Sequence, residues 1–377
     1  MKPIKTKQEY NIYNLGNRIL TSYRFIDITL LCLLTIICIF GLFILYSASN
    51  QNLHMVEQQS VRFILGIMIM FALAQVPPDK LRTWAIWLFI LAVFSLLVVL
   101  VLGHIGKGAK RWLNLGFFRL QPSELMLVAL PMVLAWYFEN KILPPKAIYL
   151  ILASIMILIP AALIAKQPDL GTAVLLVVTG SSVILLAGLR WRVVMSLVGL
   201  FIASAPLIWH YMRNYQKARV LTFLNPESDP LGRGYHIIQS KIAIGSGGLL
   251  GKGWLHGTQS HLQFLPEHAT DFIFSVCSEE FGFIGCLLLI LLYFLIILRA
   301  FYIAYHAQNT FTRLLAGSLG LMFFFSFFIN IGMVTGLLPV VGLPLPLISY
   351  GGSSIVTFFA SFGIIMSIHT HRKLVSH

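Results

Sequence analysis

Long apolar blocks separated by short polar breaks run through the whole chain, and their lengths decide what they can be. A bilayer core of about 30 Å takes roughly 20 helical residues to cross. By that rule the blocks predict about ten membrane-spanning helices. They cover residues 26–46, 61–76, 83–103, 121–138, 147–165, 170–188, 192–209, 271–298, 313–336 and 347–368. The second block is short for a span. The expected fold is an all-α polytopic membrane protein with one long, structured outer loop, 210–270, between the seventh and eighth spans. Residues 1–25 read as a cytoplasmic segment, 26–368 as a single membrane domain that includes this loop, and 369–377 as a cytoplasmic tail. The first block is not a cleaved signal peptide, because it is long, follows a polar segment and leads into further spans without a small-residue cleavage site.

Composition closes off the soluble alternatives. The chain is 58% hydrophobic and 11% charged, whereas a soluble domain carries about 25% charged residues. Its 27 Lys and Arg against 13 Asp and Glu leave a net charge of +14. Scattered among short segments, that charge suits anionic headgroups or a phosphate-bearing substrate, not nucleic acid. Basic residues are denser in the short segments on the N-terminal side, which predicts both termini in the cytoplasm and a working face outward. The four cysteines lie in or beside apolar blocks, without metal-ligand spacing and with no disulfide framework.

Several polar groups sit where the outer ends of spans are predicted, and an ionisable group at such a place needs compensation. Asp271, at the start of an apolar block after Pro266, has two readings: a helix cap by Thr270 or Asp271 itself, or a general base at the membrane surface. Glu267 shares its face only if helical geometry extends back that far. Lys107, Lys110 and Arg111 before Trp112 form either an interfacial anchor or an anion clamp. Glu124 follows Pro122 just inside a span. Asp169, beside Lys166 and Gln167, is a candidate cap for the next span. In the outer loop the glycine-rich run 245–253 is not a phosphate loop, since Gly251-Lys252 is followed by Gly253; it reads as flexible or closely approached backbone. The four histidines between 236 and 268 lack the spacing of a zinc site. The Pro-rich run 337–354 is tolerable at membrane depth only if covered by protein or facing a polar cavity.

Taken in order, Lys110-Arg111-Trp112-Leu113, Gln121-Pro122-Ser123-Glu124, Lys166-Gln167-Pro168-Asp169-Leu170-Gly171-Thr172, Gly251-Lys252-Gly253, Phe264-Leu265-Pro266-Glu267, Thr270-Asp271-Phe272-Ile273-Phe274 and the run 337–354 resemble the SEDS family (shape, elongation, division and sporulation). The short termini resemble its rod-elongation branch more than its division branch. The resemblance implies a glycosyltransferase that polymerises lipid II into β-1,4-linked glycan at the outer leaflet, with Asp271 as the catalytic base. The expected substrate-binding set is Lys110, Arg111, Glu124, Lys166, Gln167, Asp169, Gln239, Lys241, Lys252 and Glu267. No organic cofactor is expected; a divalent cation, magnesium or manganese, is compatible with a carboxylate facing a diphosphate, and its ligands are not identified. Implied partners are a class B penicillin-binding protein transpeptidase and the elongation proteins MreC and MreD. One departure is Leu127, where the family often has a lysine three residues after the glutamate. Glu124 is therefore expected to take another cation, Lys166 or Arg111, or to be protonated. A lipid II flippase has similar requirements for cations and a cavity, and is the main alternative.

Overall fold

The computed structural model describes residues 26–106, 109–114, 119–189, 214–228, 233–258 and 267–372, with isolated positions between 195 and 212. Its helices are α1 (Ile28–Ala48), α2 (Leu53–Ala74), α3 (Pro78–Leu102), α4 (Pro122–Glu139), α5 (Ala147–Lys166), α6 (Leu170–Leu186), α7 (Asn214–Leu224), α8 (Arg233–Ser246), α9 (Ile273–Tyr305), α10 (Thr310–Val334) and α11 (Ser353–Thr370). Seven of these are long and apolar enough to cross a membrane: α1, α2, α3, α5, α9, α10 and α11. The apolar α6 has 17 residues, and α4 has 18. The span expected at 192–209 lies outside the continuously described residues.

Local chemistry sets the helix ends. Asp27 Oδ1 accepts the Leu30 amide at 3.0 Å to open α1, and Asn52 caps α2. Proline occupies the first turn of α3 and α4, where its missing N–H costs nothing. The most buried of the seven long spans is α10, which packs on α9, α6, α4 and α11; α2 rests mainly on α11. Aromatic packing joins the centre, with Tyr293 of α9 stacked 4.4 Å from Phe327 of α10. The opposite apolar faces, such as Trp87, Phe94 and Val101 of α3, are exposed, as lipid contact requires.

Several expectations change: the third span begins at Pro78, not 83, because Pro78 can open the helix at its first position, and the eighth runs on to Tyr305, not 298. The second span begins at Leu53, not 61, because its first turns carry Gln58, Gln59 and Arg62, whose polar groups bond to residues 349–351 inside the bundle. The stretch 104–120 contains a three-stranded antiparallel sheet, β1 (His104–Gly106), β2 (Ala109–Asn114) and β3 (Arg119–Leu120). The last block is helical only from Ser353, the six residues before it being irregular.

The glycine-rich run is a close approach of backbones. Gly251 and Gly253 have φ of +81° and +98°, and Gly282 interrupts α9 at φ +63° and ψ −161°. Lys252 N and Gly253 N donate to the carbonyls of Glu279 and Glu280 at 3.0 Å each, while Phe283 N and Ile284 N donate to Gly248 and Leu249 at 2.9 and 3.2 Å. The interrupted helix thus regains partners for its freed amides from the loop.

At the other end of the bundle Asp27, almost wholly buried, accepts from Arg299 at 2.8 and 2.9 Å and lies 3.3 Å from His369. Arg82 and Glu139 pair at 3.1 Å with Arg82 about half exposed. Arg299→Ala is therefore expected to cost about 2 kcal/mol, by taking the charged donor from a buried carboxylate that keeps only the Leu30 amide and the neighbouring His369, and Arg82→Ala less than about 1 kcal/mol. Thermal unfolding of the two variants in detergent checks the difference.

Candidate functional site

Asp271 lies in a turn two residues before α9, not in the helix. The cap position is Phe272, and no side chain caps α9. The capping reading of Thr270 and Asp271 is thus replaced: the Thr270 hydroxyl donates to Glu267 Oε2 at 2.7 Å. Nor does helical geometry reach back to Glu267, which sits at φ +54°. Its carbonyl accepts the amides of Thr270 and Phe272 at 3.0 and 3.3 Å, making Glu267 the former of the turn that carries Asp271.

Other elements fix this turn by its backbone. Buried Asn330 of α10 donates through Nδ2 to the carbonyls of Asp271 and Leu343, at 2.9 and 2.7 Å. Ser349 Oγ donates to the Thr270 carbonyl at 2.6 Å, and Tyr350 N to the Ala269 carbonyl at 2.9 Å. The Asp271 carboxylate lies against Gly342, where a Cβ would come within 3.5 Å of Oδ2. Gly342 has φ +78°, a conformation that glycine reaches without steric penalty. Half-buried Asp271 therefore has its turn held from three sides, with its carboxylate beside Gly342.

A second polar cluster forms where β2 meets the turn between α5 and α6. Arg111 Nε donates to the Gln167 carbonyl at 3.3 Å and Nη2 to the Pro168 carbonyl, and Nη1 lies 3.8 Å from Asp169 Oδ1. Asp169 also accepts from Gln121 Nε2 at 2.9 Å and from the Thr172 amide at 3.4 Å, so it caps α6 as expected. Gln167 is buried and donates to the Leu96 carbonyl at 3.0 Å, while Lys166 is exposed. Ile105 pairs with Lys110 but His104 with Trp112, so Arg111 is the extra residue of a bulge, which re-aims its side chain out of the ladder; the Lys110 side chain lies outside the described residues. Glu124 forms an ion pair with neither of the cations expected for it, Arg111 being committed to Asp169 and two carbonyls.

The segment 341–343 separates and touches both clusters. A Cβ on Gly171, two residues after Asp169, would meet the Val341 carbonyl at 2.8 Å and Leu343 Cγ at 3.0 Å. Helix α8 is fastened beside them, with Ser240 Oγ 2.8 Å from Ser275 Oγ and donating to the Val334 carbonyl at 2.6 Å. It carries half-buried Gln239 and exposed Lys241, the latter lying over Gly336. Lys252 is engaged elsewhere, paired at 2.6 Å with buried Glu279 and bonded to Thr258 at 2.8 Å. Among the described residues no three His, Cys, Asp or Glu side chains converge to hold a metal ion.

Asn330, Gln59 and Arg62 were not among the sequence candidates. Only Asn330 left a signal, as a polar residue inside an apolar stretch; Gln59 and Arg62 lie in or beside the polar run 57–60, and which backbone groups all three serve depends on the packing of distant segments.

The comparisons bear on the same architecture. The sequence profile of the FtsW/RodA/SpoVE family, described as cell cycle proteins, matches residues 25–374. The peptidoglycan glycosyltransferase MrdB of Escherichia coli K12 is 49% identical over 352 residues, covering 93% of this chain and 95% of that protein. A chain in a solved peptidoglycan synthase complex that coordinates polymerization and crosslinking superposes with a TM-score of 0.80 at 35% identity, covering 93% of this chain and 99% of its own. The rod shape determining protein RodA of Thermus thermophilus has a TM-score of 0.70 at 30% identity, over 92% and 98% of the two chains. With the profile spanning nearly the whole chain and these relatives matched almost end to end, the chain belongs to the FtsW/RodA/SpoVE family of SEDS proteins.

Proposed function

We propose that this protein is a peptidoglycan glycosyltransferase that polymerises lipid II on the outer face of the bacterial cytoplasmic membrane during elongation, with both termini in the cytoplasm. The observation that carries this reading is the half-buried Asp271 on a turn outside α9 that backbone bonds from α10 and the 349–350 segment hold in place. Its carboxylate takes the proton of the acceptor GlcNAc 4-hydroxyl as that oxygen attacks the anomeric carbon of the lipid-linked glycan. Inversion gives a β-1,4 bond, and undecaprenyl diphosphate leaves. A carboxylate with an ordinary pKa of about 4 is a weak base toward an alcohol, so proton transfer accompanies carbon–oxygen bond formation. The diphosphate is a good leaving group without a strong general acid, unlike the situation with paired glycosidase carboxylates.

Arg111 and Lys166, flanking the 167–169 turn, are the cations assigned to the leaving diphosphate, with Lys110 beside them in β2. Gln121, Glu124, Gln167 and Asp169 orient that corner, and Gln239 and Lys241 of α8 border the site. Lys252 acts at a distance by anchoring the loop to Glu279. A divalent cation would draw most of its oxygen ligands from the diphosphate and water, and would neutralise charge on the leaving group. Arg111→Lys keeps one positive charge but loses the planar fork that spans two carbonyls. It is expected to slow polymerisation about tenfold, a loss of roughly 1.4 kcal/mol, as read from the initial rate of glycan formation.

The relative solved in a polymerising and crosslinking complex supports a class B penicillin-binding protein as partner, and MreC and MreD are proposed as its regulators. The test supplies purified protein and its cognate transpeptidase with labelled lipid II and magnesium, beside Asp271→Ala. Long glycan from the parent alone supports the reading. Equal product from both removes Asp271 as the base; no product from either, with lipid II flipping in liposomes, favours a transporter.

A further inference from the structure

The polar edge of α2 has no place in the chemistry above, yet it is bonded to the segment that holds the Asp271 turn. Gln59 is fully buried, in a helix whose Val61, Ile64 and Met68 are exposed to the lipid side. Its Nε2 donates to the Ser349 carbonyl at 3.0 Å, and its Oε1 accepts the Gly351 amide at 3.4 Å. One turn along, Arg62 Nη2 donates to Tyr350 Oη at 3.1 Å, with the guanidinium 4.4 Å from the ring centre. Tyr350 in turn donates its hydroxyl proton to Gln58 Oε1. The same two residues face Asp271 on their other side: Ser349 through its hydroxyl to Thr270, and Tyr350 through its amide to Ala269. Ser349 Oγ also accepts the Leu345 amide at 2.8 Å, which fixes the segment that continues from Gly342.

We infer that Gln58, Gln59 and Arg62 of α2 are positioning residues for Asp271, acting through Ser349 and Tyr350 as a hydrogen-bonded strut between a peripheral helix and the catalytic turn. The inference rests on the reading of Asp271 as the base. A buried amide that satisfies one carbonyl and one amide of an irregular segment pins it in a single arrangement. The carboxylate must meet its substrate hydroxyl within hydrogen-bond reach, so loosening the segment lowers turnover without removing a substrate contact.

The test replaces Gln59 with methionine, which keeps the volume and removes its hydrogen bonds to Ser349 and Gly351 together with the one it accepts from Arg62 Nη1 at 3.4 Å. Hydrogen–deuterium exchange of the full-length protein in nanodiscs follows amides 269–272 against those of α10, while polymerisation is measured over a range of lipid II concentrations with the partner present. The expected result is faster exchange confined to 269–272 and the 345–351 segment. With it, turnover falls by about 10²-fold, as misplacement of a reacting group does, and half-saturation stays the same, since no ground-state substrate contact is lost. Tyr350→Phe, which removes only one hydroxyl, is expected to change both readouts in the same direction and serves if Gln59→Met does not fold. Unchanged exchange at 269–272, faster exchange throughout α10 as well, or loosened exchange with full turnover would each overturn the inference. If Asp271→Ala still polymerises, the reading of the base fails instead, and the exchange result still decides whether the strut holds the turn.

Discussion

Asp271→Asn is expected to fold like the parent and to extend glycan about 10²–10⁴-fold more slowly, the range a positioned general base supplies. The carboxamide has the same shape, and the bonds that fix this position involve its main chain, because Asn330 donates to the Asp271 carbonyl. What disappears is the capacity to accept a proton. Asp271→Glu restores that capacity one methylene further out, in a place where the native carboxylate already lies against Gly342, so it should recover only part of the lost rate. Time courses of labelled glycan on gels, with thermal unfolding to confirm equal folding, measure both. An asparagine variant as fast as the parent would mean that another group accepts the proton.

Gly282→Ala is expected to give the largest loss of stability, about 3 kcal/mol or more, because two costs coincide. At φ +63° and ψ −161° the residue occupies a region open almost only to glycine. A Cβ there would also stand 2.3 Å from Gly251 N and 2.7 Å from the Leu249 carbonyl oxygen, and neither backbone atom can swing aside. The loop would have to leave α9, taking with it the Lys252–Glu279 pair and leaving a buried carboxylate without that cation. Yield and melting temperature in detergent should both fall. Gly245→Ala, where nothing lies within 4 Å of the added carbon, should be nearly silent.

Hydrophobic run length made most of the helices legible, because a bilayer imposes both a length and an apolar exterior. Helices α5 and α6 begin at the positions read from the chain, and α1, α4 and α10 begin within three residues of them. The start of α2 was not legible, since its polar residues are paired with residues nearly 300 positions away and block length alone does not reveal that pairing. The sheet at 104–114 and 119–120 was missed for the opposite reason: it is short, with strands of two to six residues, and offers too little alternation to register. At the site, Asp169 as a cap follows from local spacing. Asp271 outside its helix does not, because the boundary is set by Glu267 folding back on Thr270 and by contacts from 330 and 349.

The partition at 341–343 presents a glycine to Asp271, and a carbonyl beside the Leu343 side chain to Gly171, and that affects how the site would respond to a drug. An inhibitor seated against this wall beside Asp271 would be recognised largely through main-chain groups, which a codon change cannot delete. Substitution at Gly342 would meet the unfavourable φ, and substitution at Gly171 would collide with the Val341 carbonyl. The routes by which a bacterium could shed such a compound while keeping its enzyme are therefore few, and resistance should arise most often in distant residues that move the wall as a whole.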